Sequence, residues 1–197
     1  MKTLAAALLL ALAVPAVAQD AYTEPRSGVQ FAAQRDDMTL LGAGLRIKQI
    51  AFVKAKVYAI GLYVAPAALQ GALAAHKGKP ASEALYQDLI WGDFPKQLVL
   101  HFTRDVGQGR IQSAMREGLQ GADPKFTELF VSYFPEVREG QECILRWAPG
   151  GVLETSFAGL NKGAIKDKNF AAAVFGVWLR AKPVQDDIKA DLIARFK

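Results

Sequence analysis

Apolar and polar side chains alternate through the first half of the chain, and a longer period then takes over. Val29 to Ala33, Met38 to Leu41, Leu45 to Ile50 and Phe52 to Val64 are rich in β-branched and aromatic residues and read as strands, the last stopping at Pro66. Along that longest run Val53, Ala55, Val57, Ala59 and Gly61 share one face, and Lys54, Lys56, Tyr58, Ile60 and Leu62 the other. Residues 67–75 and 82–90 favour short helices, and Gln97 to Thr103 is a further strand. The period then changes. Ile111, Ala114, Met115, Gly118 and Leu119 recur at helical spacing, as do Phe126, Leu129, Phe130, Tyr133 and Phe134 behind Asp123-Pro124, and Phe170, Ala173, Val174, Val177 and Trp178. Glu142 to Ala148 and Val152 to Phe157 flank Pro149-Gly150-Gly151, which predicts a hairpin. Val184, Ile188 and Leu192 mark a closing helix. Strands first, clustered helices and a hairpin between them predict an α+β domain, an antiparallel sheet covered on one face by helices.

Composition alters that picture mainly at the N-terminus. Met1-Lys2-Thr3, an apolar run from Leu4 to Val14 and Ala16-Val17-Ala18 read as a cleavable export signal over residues 1–18, cut after Ala18. The run is about half the length a bilayer span needs. No stable membrane insertion is therefore expected after its removal. The mature protein is expected in the periplasm or secreted. Residues 19–28, with Pro25 and Gly28, read as an exposed leader, and residues 29–197 as one domain. Lys and Arg number 24 against 19 Asp and Glu, a mixed surface that argues against nucleic acid as a partner. The single cysteine, Cys143, excludes a disulfide framework and reads as a buried, inert thiol on a strand.

The usual catalytic constellations are missing from the sequence. His76 and His101 have no partner at metal-ligand spacing, and no G-x-S-x-G elbow occurs, so neither a metal nor a cofactor is expected. Asp36-Asp37 and Asp186-Asp187 suit turn and helix-cap chemistry, Arg104-Asp105 a local ion pair or cap, and Lys54 and Lys56 a solvated strand edge. Gly42-Ala43-Gly44 reads as a tight turn between two strands.

Gly42-Ala43-Gly44-Leu45-Arg46, followed by the run from Phe52-Val53-Lys54 to Ile60-Gly61-Leu62-Tyr63, resembles the chalcone isomerase family. The segment from Phe175 to Val184, ahead of Ile188-Lys189, resembles the ending of exported bacterial chalcone isomerase-like proteins. The resemblance spans residues 28–195 and implies an open-faced β-sandwich, with a ligand cleft between a large antiparallel sheet and a helical layer. Of the plant enzymes' cleft residues, it carries over only the arginine, at Arg46. Their first threonine falls on Tyr58, the tyrosine on or near Ile111, the asparagine near Gly118 and the second threonine on Val177. Arg46 with Tyr58 instead resembles the pair with which fatty-acid-binding members hold a carboxylate.

The implied function is non-catalytic binding of a small amphiphilic anion such as a fatty acid. Arg46 and Tyr58 would be the ligand-binding residues, with Ile60, Ile111, Met115, Val177 and Trp178 lining the pocket. A charged hydrogen bond contributes about 1.5–3 kcal/mol, and each buried methylene roughly 0.8 kcal/mol. The head group would then orient the ligand and the tail would bind it. Two alternatives stand beside this one: an isomerase or lyase acting on an unsaturated carbonyl compound, and an interaction module whose cleft is plugged by Phe31, Phe52 or Trp178.

Overall fold

The computed structural model describes residues 20–50 and 52–197, so the expected export signal lies outside the described residues. Seven antiparallel strands form the main sheet in the order of the sequence: β3 (Gln34–Arg35), β4 (Met38–Ile50), β5 (Val53–Val64), β6 (Lys96–Phe102), β7 (Glu142–Ala148), β8 (Val152–Phe157) and β9 (Leu160–Lys166). A second, two-stranded sheet pairs β1 (Ala21–Thr23) with β2 (Gln30–Ala32). The helices are α1 (Pro66–Gln70), α2 (Glu83–Trp91), α3 (Gln108–Gly118), α4 (Pro124–Ser132), α5 (Lys168–Leu179) and α6 (Asp186–Asp191). The α+β, open-faced arrangement matches the expected class.

Local chemistry explains most of these boundaries. Ser82, Asp123 and Asp167 accept hydrogen bonds from Leu85, Lys125 and Phe170 N–H groups and so start α2, α4 and α5. Gly150 and Gly151 take positive φ values of 86° and 74°, which a side chain resists, and turn β7 into β8.

The sheet separates two cores. The larger lies under the helices and joins Tyr58, Ile60 and Leu62 of β5 to Phe130, Phe134, Phe170, Phe175 and Trp178. The smaller lies on the opposite face, where Phe31 of β2 covers Leu40, Ala43, Ala59, Tyr63 and Val99.

Three expectations need correction. Gly42-Ala43-Gly44 is not a turn but the middle of the continuous strand β4. The glycines are there for proximity: a Cβ on Gly42 would strike the Asp191 carbonyl, and one on Gly44 would lie 2.9 Å from the Asp191 Cβ, because α6 rests directly on β4. Residues 20–28 are not wholly an exposed leader, since they include β1 and the buried Glu24. Burial raises the Glu24 pKa, but hydrogen bonds from Ser27 and Arg26 outweigh it and hold the carboxyl below its ordinary value. Arg26 continues to Asp187 at 2.6 Å and Asp191 at 2.5 Å, tying this segment to α6. Finally, Asp105 pairs not with Arg104 but with Arg138 at 3.1 Å, and it accepts the Glu139 N–H.

Lys96 at the start of β6 is fully buried. Its Nζ donates to the Ile90 carbonyl (3.2 Å) and the Gly92 carbonyl (2.8 Å) at the end of α2, and lies 4.0 Å from the Trp147 ring centre. Burial lowers its pKa to about 7. The unfolded chain, with Lys96 near the free value of about 10.4, binds the extra proton between those values, so folding stability rises with pH across that window. Comparing chemical denaturation of wild type and Lys96→Met from pH 7 to 10 should show this rise, on the order of a few kcal/mol, only in wild type. Parallel profiles would remove the assignment.

Candidate functional site

The register of β4 and β5 sets Arg46 directly opposite Tyr58, so both side chains leave the sheet on the same face. That face carries Ile60 and the helical core. Tyr58 is buried, while Arg46 is half-buried at the edge.

Tyr58 is held from above. Its hydroxyl oxygen accepts the Trp178 Nε1–H at 3.0 Å, and its ring meets Phe102 edge-on at 5.7 Å between centroids. Burial pushes the phenol pKa up to about 12, against smaller opposing effects of the Trp178 hydrogen bond and the Arg46 charge. The phenol is therefore protonated at any ordinary pH. Because it already accepts from Trp178, its own proton remains to be donated to an incoming acceptor.

Arg46 is oriented by Gln185, which sits just ahead of α6. The Gln185 side-chain amide docks on the open edge of β4 as a short strand would: Nε2 donates to the Leu45 carbonyl at 3.0 Å, and Oε1 accepts the Ile47 N–H at 2.8 Å. The same Oε1 accepts from Arg46 Nη1 at 3.2 Å, and Nη1 also donates to the Ile47 carbonyl at 3.0 Å. A register shift between Arg46 and Ile47 makes this possible, since it bends the strand where the guanidinium leaves it. None of the ion pairs among the described residues involves Arg46. With Nη1 engaged by Gln185 and the Ile47 carbonyl, the guanidinium keeps its charge and its Nε and Nη2 donors for an anion.

The other expected pocket residues all lie in the large helical core. Ile111 and Met115 come from α3, Val177 and Trp178 from α5, and all four are buried with Ile60 in the core that contains Tyr58. Trp178 alone bonds directly to the pair. Gly118 lets α3 and α5 approach, because a Cβ there would lie 3.2 Å from Val177 Cγ1. Of the residues suggested as plugs, Trp178 is in this core, Phe31 is across the sheet, and Phe52 is exposed.

Two cavities of similar size lie elsewhere, and neither is lined by Arg46 or Tyr58. One, of about 230 Å³, is an apolar groove on the outer side of the helices, bounded by Ile90, Trp91, Gly118, Ala172, Gly176 and Arg180. The other, of about 250 Å³, lies on the open face of the sheet among Asp36, Gln97, Arg146, Glu154 and Asn161. His76 pairs with Asp88 at 2.7 Å and His101 with Glu142 at 3.6 Å, each outside the Arg46–Tyr58 region.

A large antiparallel sheet, a helical layer on one face and a polar pair at the rim of the intervening core make up an open-faced sandwich. The chain belongs to the chalcone isomerase-like family, whose description matches residues 26–194. It is 29% identical over 199 residues to fatty-acid-binding protein 2 of Arabidopsis thaliana, which covers 86% of this chain and 49% of that protein. It therefore spans about half the length of that relative. It is 28% identical over 176 residues to chalcone isomerase-like protein 1 of Humulus lupulus, covering 80% of this chain and 82% of that one. Among solved structures, an Arabidopsis thaliana fatty-acid binding protein, AtFAP1, superposes with a TM-score of 0.77 at 20% identity, over 88% of this chain and 96% of that one. That last likeness establishes the shared fold.

Tyr58→Phe removes the acceptor of a fully buried indole N–H. Thermal or chemical denaturation should show a loss of about 1–3 kcal/mol. Adding Trp178→Phe should then cost less than its effect alone, a coupling that a double-mutant cycle reads directly. Strict additivity would mean that the bond contributes nothing.

Proposed function

We propose that the protein binds a small amphiphilic carboxylate, a fatty acid or close analogue, and carries out no reaction on it. The observation that carries this reading is the Arg46–Tyr58 pair: an unneutralised guanidinium and a neutral phenol with a free proton, side by side at the edge of an apolar core. One supplies charge and the other a directed donor, which suits the two oxygens of a carboxylate. Tyr58, at a pKa of about 12, is not suited to act as a base near neutral pH. The alkyl chain would enter between sheet and helices past Ile60, Met115 and Val177, which are buried in the core there. The names of the two Arabidopsis relatives support the ligand class.

Residues 1–18 complete the proposal as a cleavable export signal, placing the mature domain in the periplasm or outside the cell, where free amphiphiles need a carrier. Partial N-terminal sequencing of the exported protein should begin at Gln19.

For the ligand, the measurement is native mass spectrometry of the purified protein, followed by titration with a fatty acid of about twelve carbons. Arg46→Ala should weaken binding about 10- to 100-fold, the equivalent of a charged hydrogen bond, with little change in melting temperature. An unchanged affinity, or turnover of an unsaturated ketone above buffer rate, would defeat the proposal.

A further inference from the structure

The β4–β5 hairpin extends beyond the rest of the sheet. The last pairing of β6 with β5 is Phe102 with Tyr58, and from Ile47 and Lys56 outward the two strands pair only with each other. At the tip Phe52 is 99% exposed and its neighbour Val53 is 67% exposed. The other large exposed apolar side chains, Trp91, Leu129 and Leu160, stand singly, which is ordinary for a soluble surface. Two adjacent ones on a projecting tip are not.

Charge on the hairpin is one-sided. From Arg46 to Lys56 the chain carries four cations and no carboxylate. Lys48, Lys54 and Lys56 are all exposed. Lys56 donates to the Arg26 carbonyl, leaving its charge uncompensated. The neighbouring acids Asp187 and Asp191 are engaged by Arg26. Lysines on an unpaired hairpin do discourage strand-to-strand aggregation, but that role gives no reason for an aromatic ring at the apex.

We propose that this hairpin docks peripherally on an anionic lipid surface. Phe52 and Val53 enter the headgroup region, and Lys48, Lys54 and Lys56 reach the lipid phosphates from either strand. An apolar tip ringed by cations complements an anionic bilayer. The contact is interfacial, since no described helix is long and apolar enough to cross a membrane. Arg46 lies at the base of the same hairpin, so docking would hold the mouth of the proposed cleft against the lipid from which an amphiphile is drawn. The docking itself does not depend on the ligand reading and is measured without a fatty acid.

The test is flotation of the full chain with vesicles of phosphatidylglycerol and phosphatidylcholine in a 1:3 ratio, set against phosphatidylcholine alone. Wild type should float with the anionic vesicles and lose binding as salt rises from about 0.1 to 0.5 M. Phe52→Ser should weaken binding at least tenfold, on the order of one buried aromatic side chain. Each of Lys48→Gln, Lys54→Gln and Lys56→Gln should weaken it about fivefold. Leu160→Ser, at an exposed apolar site on β9, serves as the control and should float like wild type. Because every variant keeps residues 1–18, their contribution cancels, and circular dichroism confirms that each is folded. Failure of wild type to float with anionic vesicles, or equal flotation of Phe52→Ser, overturns the proposal. Either result leaves the Arg46–Tyr58 reading to its own titration.

Discussion

The close seating of α6 on the glycines of β4 underlies the rest of the molecule. Without side chains at Gly42 and Gly44, the α6 backbone comes into contact with the strand. That contact delivers Gln185 to the bare edge of β4, where its amide satisfies two backbone groups and holds Arg46. It also brings Asp187 and Asp191 to Arg26, which secures the N-terminal segment through Glu24. One steric allowance thus closes a sheet edge, orients a cation and joins the two ends of the domain.

The two faces of the sheet have different work. On the helical side most inward residues of β5 to β8 are apolar; among the polar ones, Tyr58 has Trp178 and Lys96 has the carbonyls at the end of α2, whereas the buried Thr155 hydroxyl of β8 makes no hydrogen bond. On the opposite side a small cluster under Phe31 covers only part of the surface, and the remainder carries Arg35, Glu142, Arg146 and Glu154. The tail of the proposed amphiphile would find apolar surroundings in the first of these environments. The polar pair that would receive its head stands where that environment meets solvent.

Much of this was legible in the sequence, and the failures have physical reasons. The helices α3, α4 and α5 follow from apolar residues at helical spacing, with Asp123 and Asp167 capping the last two. The β7–β8 hairpin follows from Pro149-Gly150-Gly151. Gly42-Ala43-Gly44 misleads because glycine signals both turns and close packing, and only the distant α6 decides between them. β9 escapes notice because it is an edge strand that opens on exposed Leu160 and Asn161, lacking the alternation that burial imposes. Arg46 and Tyr58 were accessible through the family resemblance, whereas their shared face follows only from the register of β4 on β5. Gln185 was not, since a glutamine after a proline and a valine carries no local signal and its partners lie some 140 residues away.

That separation bears on how the chain assembles. The strands of the main sheet join in sequence order, so each can add to its predecessor as soon as both exist. The free edge of β4 is the exception, for it waits on Gln185, α6 and the Arg195 N–H that bonds to the Leu41 carbonyl. The earliest long strand is therefore finished by the latest residues. A domain wired in this way stays incomplete until its C-terminus is free, and a chain threaded through a pore N-terminus first would reach its native state only after its passage has ended.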